Sequence, residues 1–336
     1  MESHTNRRRS KEYFERCAHL KLDGLKEAVK ASQLENKNLS KMNIPPYPKP
    51  EFHVSHLKHD TSRGALCQIK KDGGFKDPCK DNKDKLSLVW WSLAVAPEEI
   101  RSAERRLLEE TFPNRSEEQA WSQQRFLRKF ASSPAFSGKS MYGSYRFTFT
   151  VEEVLKAYSE QFCSGMLPVM RVFKTSLYKQ QVMYAVLIHS QDDDENFKQY
   201  PRLPNDPNAV CAYRDGRFIW RPEAMCETHC YRLSKDEKND LLVADRVNYE
   251  FYVWDHVALA LHVKSRQVLK FDSDDLGKNL SFCERDESAP SCASSDFDTY
   301  KDAQKLITSL WSPKEEEDLN MLSMGDLSPK KRRRDD

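Results

Sequence analysis

Glu250 is the one carboxylate in a run of aromatic and β-branched residues, flanked by Tyr249, Phe251, Tyr252, Val253 and Trp254. Strand alternation from Tyr249 puts Glu250, Tyr252 and Trp254 on one face, and Phe251 and Val253 on the other. A lone Glu on a strand is commonly a solvated or edge residue. One that shares its face with two aromatics reads instead as a residue of a cleft.

Two other groups have the residue types of metal ligands. Cys226, His229 and Cys230 stand close together, but zinc needs a fourth ligand and a second paired spacing, and neither Cys163 nor Cys211 supplies one. His53, His56 and His59 could share one strand, yet alternation then sets His56 against the other two. Neither group reads as a metal site, and strand-packing thiols are the better reading of the cysteines. The chain has no Walker A motif, no Gly-x-Gly-x-x-Gly, no Gly-x-Ser-x-Gly and no His-Glu-x-x-His.

The elements that would position Glu250 run through most of the chain. Val247 to Asp272 is rich in strand formers, with Asp255-His256 and Lys264 to Gln267 as breaks. Upstream, Phe52, Val54 and Leu57 open a first strand. Asp60-Thr61-Ser62 then offers caps to a helix carrying Ala65, Leu66 and Ile69, closed by Gly73-Gly74. A Lys/Asp-rich loop over 76–86 precedes a buried strand from Leu86 to Val95, which contains Trp90 and Trp91. Residues 97–130 have a helical pattern, and Ser132 to Ser140 reads as a Ser/Pro/Gly linker. Tyr145, Phe147 and Phe149 alternate with Arg146, Thr148 and Thr150 as a half-buried strand. Thr150 and Glu153 make a capping box for a helix through Phe162, stopped at Gly165. Val182 to Ile188 is apolar without alternation, the mark of a central strand covered on both faces. Asp192 to Glu195 and the prolines after it read as an exposed loop, and Asp215-Gly216 as a hairpin turn.

Length and composition set limits on this. A chain of 336 residues can bury a substantial core, but only 38% are hydrophobic and 32% charged, so part of it is expected outside any core. Three regions follow: a basic, Pro-rich N-terminal arm over 1–50, a domain over 51–272, and a largely disordered tail over 273–336 with one helix near 299–311. The formal charge of +2 leaves any contact with nucleic acid to local patches. There is no run of about eighteen apolar residues, and the N-terminus is charged where a signal peptide would be apolar. Nine cysteines without a secretion signal read as reduced thiols. A soluble, intracellular protein without membrane partners is expected. Lys330, Lys331, Arg332, Arg333 and Arg334 follow a proline in the tail and match a nuclear-import signal, so the expected location is the nucleus. These cations and the basic N-terminus also offer nonspecific contact to phosphates. The fold class is α+β, a mixed sheet with helices inserted between its early strands.

Three segments, in order, carry a resemblance to a family. Asn248-Tyr249-Glu250-Phe251-Tyr252-Val253-Trp254-Asp255 resembles the Asn-Glu-Tyr-Ile-Val-Tyr-Asp segment holding the catalytic Glu of poly(ADP-ribose) polymerase-like (PARP-like) ADP-ribosyltransferases. His59-Asp60-Thr61, with Gly73-Gly74-Phe75 fourteen positions after His59, resembles that family's His-Gly-Ser/Thr and Gly-hydrophobe. Met141-Tyr142-Gly143 and Tyr145 to Tyr158 resemble its Phe-Gly-x-Gly-Ile-Tyr-Phe-Ala-Asp strand and helix. The resemblance spans about Phe52 to Asp272. It implies a mostly antiparallel split sheet with flanking helices and a cleft for NAD, with His59, Asp60 and Thr61 toward the dinucleotide. Phe147 then takes the tyrosine position of the His-Tyr-Glu triad, Leu155 the serine that holds the carboxamide, and Tyr158 the tyrosine that stacks on nicotinamide.

Transfer of ADP-ribose passes through an oxocarbenium-like state, which a carboxylate such as Glu250 can stabilise. The carboxamide must also be gripped, and here Asp60 replaces Gly, Leu155 replaces Ser and Phe147 lacks the tyrosine hydroxyl. Unpaired polar ligand atoms cost roughly 1–3 kcal/mol each. Two such losses weaken NAD binding by about two to four orders of magnitude. The pattern is similar to the inactive PARP-like domains of nuclear silencing scaffolds, the TASOR type. The expected function is therefore a non-catalytic interaction domain without cofactor, whose partners are nuclear proteins. The alternatives are an active mono-ADP-ribosyltransferase that uses NAD, supported by His59, Tyr158 and Glu250, and an unrelated nuclear binding module. Each position also has a plainer reading: His59 in a loop, Phe147 in a core, Tyr158 on a helix face packing the sheet.

Overall fold

The computed structural model describes residues 1–5, 11–32, 39, 50–77, 86–122, 125, 127–130, 133–178, 181–223, 233–235, 241–243, 254–286 and 294–311. Glu250, the Cys226/His229/Cys230 group and Lys330 to Arg334 lie outside the described residues.

The chain opens with strands β1 (Glu2–Thr5) and β2 (Lys11–Arg16) and helix α1 (Leu22–Ala31). β3 (Phe52–Val54), β4 (His56–Thr61), α2 (Arg63–Asp72), β5 (Gly74–Phe75) and β6 (Leu88–Ala94) follow, then α3 (Pro97–Thr111) and α4 (Glu117–Ser122). After a 3₁₀ turn at Pro134–Phe136 come β7 (Tyr145–Thr150), α5 (Val151–Phe162), β8 (Val169–Tyr178), β9 (Gln181–His189) and α6 (Asp194–Phe197). β10 (Cys211–Arg214), β11 (Arg217–Trp220), β12 (Leu233–Lys235), β13 (Leu241–Val243), β14 (Trp254–His262), β15 (Leu269–Lys270), α7 (Ser273–Lys278), β16 (Leu280–Phe282) and α8 (Tyr300–Trp311) complete it.

The class is α+β, and the described strands centre on one large, mostly antiparallel sheet ordered β1-β2-β8-β9-β14-β6-β4-β7-β16. Among the described strands, the one parallel pairing joins β9 to β14. Both faces of the middle strands are covered, which explains why Val182 to Ile188 shows no alternation. Val182, Tyr184, Val186 and Ile188 enter the main core with Val257, Leu259 and Leu261, whereas Ala185 and Leu187 join a smaller cluster with Phe173, Phe197 and Tyr200. β6 lies between β14 and β4, with Trp91 in the main core, so the Trp90-Trp91 strand belongs to the same body. α3 buries Ile100, Ala103, Leu107 and Leu108 against that core. The capping box at Thr150 forms as the sequence predicts: its Oγ1 accepts from the Glu153 N–H and the Glu153 carboxylate accepts from the Thr150 N–H.

The sequence reading set 1–50 and 273–336 apart from the domain, and the structure places part of each within it. β2 pairs antiparallel with β8, and α1 buries Leu25 and Val29 in the core. At the other edge β16 pairs with β7, and α8 buries Ala303. These segments are short and highly charged, so their apolar residues are too sparse to signal burial locally. The helical pattern over 97–130 is divided: α3 ends at Thr111, two residues before Pro113, whose ring cannot continue the helix, and helical turns resume in α4 and at Leu127–Phe130. The stretch expected as a linker is no open linker over residues 133–140: Ser133, Ala135 and Ser140 are buried, and the segment lies over the sheet. β14 also runs unbroken through Asp255 and His256, because both side chains are buried and bonded within the fold. Asp192 to Glu195 forms a 3₁₀ turn and α6, with Asp194 bonded to Arg171 and Arg202. No described helix is long and apolar enough to cross a membrane.

Candidate functional site

β4 positions most of the residues singled out by the sequence, and its alternation sends them to opposite faces of the sheet. On β7 the partners of His59 and Asp60 are Phe147 and Arg146, so Leu57, His59 and Phe147 share one face and Lys58, Asp60 and Arg146 the other.

The first face is aromatic and closed. The ladder between β4 and β6 ends at Lys58–Ser92, and just beyond it the His59 Nδ1–H donates to the Trp90 carbonyl at 2.8 Å. Phe75 lies 4.9 Å and Trp91 5.5 Å from the His59 ring, centroid to centroid. Phe75 in turn meets Phe147 at 5.2 Å and Phe271 at 5.6 Å, and Phe149 meets Phe271 at 4.6 Å. Phe75, Trp91, Phe147 and Phe149 are almost wholly buried, and burial lowers the His59 pKa below its ordinary value.

The remaining positions on this side are also engaged by the chain. Gly73 caps α2 in the left-handed conformation (φ 68°), which a side chain would strain. Gly74 pairs with Lys270 so closely that an added Cβ would stand 2.1 Å from the Leu269 carbonyl oxygen. Its backbone is thus committed to β15. Leu155 and Tyr158 lie on the buried face of α5. The Tyr158 hydroxyl donates to the His262 carbonyl at 2.5 Å, and its ring stacks on Phe162 at 5.1 Å. Thr61 ends β4 opposite Tyr145 and is buried. His59, Phe147 and the Gly73-Gly74-Phe75 segment therefore come together, but around protein side chains.

The second face is polar. Arg146 grips Asp60 with two bonds, Nε to Oδ1 at 2.6 Å and Nη2 to Oδ2 at 2.9 Å, the fork geometry favoured by guanidinium and carboxylate. Burial alone would raise the Asp60 pKa; the bonded Arg146 overrides it and holds the carboxyl below the ordinary range. Arg146 also donates to the carbonyls of Ser137, Gly138 and Lys139. Lys58 donates to those of Pro134 and Ser137. These charged groups fasten the 133–142 segment to the sheet where an apolar core would otherwise be needed. A crevice remains beneath it, lined by Lys58, Asp60, Ser92, Lys139, Tyr142 and His256 among others, with about 30 Å³ of internal room. Burial lowers Lys58 to about 8 and His256 to about 4. Asp60, expected beside the nicotinamide, thus faces away from His59.

Near the start of β14, Asp255 is buried and its Oδ2 accepts from the Trp220 indole N–H at 3.3 Å and the Glu223 N–H at 3.2 Å. Burial raises its carboxyl to about 8. His53, His56 and His59 do not form a cluster: the strand is interrupted at Ser55, between β3 and β4, and His53 bonds Glu51 at 2.7 Å. Among the described residues no group of three potential ligands could hold a metal ion.

Sequence reasoning overlooked Lys58, Ser92, Arg146 and His256. A legible signal existed for two of them. Lys58 and Arg146 are charges set among Leu57, Tyr145 and Phe147, in strands whose neighbours are apolar; a charge there demands a buried partner. No protein-family model matches the chain, and neither curated proteins nor solved structures gave a match.

Proposed function

We propose that this protein is a nuclear, PARP-like interaction domain with a degenerate NAD pocket and no catalytic activity of its own. The observation that carries this reading is the aromatic plug: Phe75 and Trp91 pack on His59, and Phe147 and Phe271 pack on Phe75, in the region that the resemblance would give to NAD. Gly74, whose backbone would bind the carboxamide, is paired with Lys270, and the Tyr158 hydroxyl is bonded to His262. Each of these would have to be broken before a dinucleotide could enter. Opening a packed aromatic cluster costs several kcal/mol, since a single buried Phe or Trp is worth about 3–5 kcal/mol. Asp60, which would crowd the carboxamide, is instead held by Arg146 on the opposite face. The likeness to an ADP-ribosyltransferase sheet rests on the order of the three segments and on the His59–Phe147 pairing. The nuclear location rests on Lys330 to Arg334.

The test is self-modification by labelled NAD, comparing the full chain with Glu250→Ala. The expected result is no label above background in either. Label that depends on Glu250 would establish a mono-ADP-ribosyltransferase and end this reading.

A further inference from the structure

The polar crevice lies on the face of the sheet away from His59, and its chemistry is independent of what the aromatic face does. Its walls are Lys58 and Asp60 of β4, Ser92 of β6, His256 of β14, Pro134, Lys139, Met141 and Tyr142 of the overlying segment, and Asp286. Lys139 and Tyr142 are exposed at its mouth, whereas Lys58 and His256 are buried at its floor.

Size narrows the occupant first. A cavity needs about 10–15 Å³ of such room for each water-sized atom. The crevice has about 30 Å³, enough for the two oxygens of a carboxylate whose remaining atoms stay at the mouth, and too little to enclose a phosphate, a sugar or a nucleotide. Charge narrows it further. Of the charged lining residues, Lys58 and Lys139 are cationic and Asp286 anionic, Asp60 is neutralised by its bonded partner Arg146 outside the lining, and burial keeps His256 neutral at pH 7, so the crevice together with that ion pair carries one net positive charge. A monoanion neutralises it. Hydrogen bonding points the same way: Lys58 places two of its three N–H donors on the carbonyls of Pro134 and Ser137, and the third is the one an occupant can take. The Ser92 hydroxyl is a second donor.

We propose that this crevice binds a carboxylate group, seated between the Lys58 ammonium and the Ser92 hydroxyl, with Lys139 at the mouth. The carboxylate comes either from a small free monocarboxylic acid or from an acidic side chain of a peptide. Binding requires charged Lys58, so affinity falls above pH about 8, where the buried ammonium loses its proton. Of the other groups around that ammonium, Arg146 favours the loss, and Asp60, Cys283 and Asp286 oppose it.

The test is ligand-observed saturation-transfer NMR on the full chain at constant ionic strength, with sodium acetate, N-acetylglutamate amide and inorganic phosphate as probes. A saturable signal from acetate or from the blocked glutamate supports the proposal, and the probe that binds names the source of the carboxylate. Ser92→Ala should weaken that binding about tenfold, the usual worth of one hydrogen bond to a charged group. Lys58→Met should abolish it. Because Lys58→Met also removes two structural bonds, Lys139→Ala at the exposed mouth serves as a second variant and should weaken binding severalfold. Signals that do not saturate, that are unchanged in Ser92→Ala and Lys139→Ala, or that are matched by phosphate would overturn it.

Discussion

Asp60 and Arg146 face each other across β4 and β7 and close a two-pronged ion pair on the side of the sheet opposite His59. Both side chains are about nine-tenths buried, at 9% and 10% exposure, so neither can turn to solvent if the other is removed. Asp60→Asn should therefore leave Arg146 charged and half-satisfied, at a cost of about 3–5 kcal/mol. Urea denaturation at pH 7 measures it; a loss under about 1 kcal/mol would show that the pair is solvent-screened.

The same pair sets an acid limit. The folded-state pKa of Asp60 is depressed, so its contribution is fully present above the unfolded value near 3.8 and is lost as pH falls through the lower folded value. Below pH about 4 the wild type should lose stability more steeply than an Asp60→Asn, Arg146→Met double variant. Parallel denaturation curves from pH 5 to 2.5 would refute this.

Asp255 works in the opposite sense. Its folded pKa of about 8 lies above the unfolded value, so the stability it lends is full below about 4 and is lost as pH rises toward 8. Asn offers an oxygen to the same two donors, Trp220 Nε1–H and the Glu223 N–H, without a charge to bury. Asp255→Asn should flatten the dependence by up to about 1.4 kcal/mol per pH unit between pH 5 and 8. Identical slopes in variant and wild type would place the carboxylate in contact with water.

Phe147→Tyr supplies the hydroxyl of the His-Tyr-Glu triad that the resemblance implies. The Phe147 ring is wholly buried against Phe75 on the His59 face, so an added hydroxyl would enter apolar surroundings. The variant should be about 1–3 kcal/mol less stable and gain no affinity for NAD. A stable variant that binds NAD would show that the pocket lacks only that hydroxyl.

Much of the sheet was legible because its strands carry their own signal: Val182 to Ile188, Leu86 to Val95 and Tyr145 to Thr150 are apolar enough to be read singly. β8 was not, since Arg171 and Lys174 interrupt it and a register shift between Val172 and Lys174 breaks its alternation. The partnership of His59 with Phe147 follows from strand pairing and could be anticipated from the resemblance. What filled the space between them could not. Phe75 and Phe271 are far apart in sequence and meet only because β5 and β15 pair. The polar crevice was hidden for the same reason: Lys58, Ser92, Arg146 and His256 come from four strands, and no local pattern joins them.

The most direct measurement is calorimetric titration of NAD into the full chain at pH 7. On the proposed reading the chain should give no binding heat at millimolar NAD, while remaining folded by circular dichroism. Micromolar binding, weakened by substitution of His59, would contradict the account and return the protein to the NAD-using enzymes.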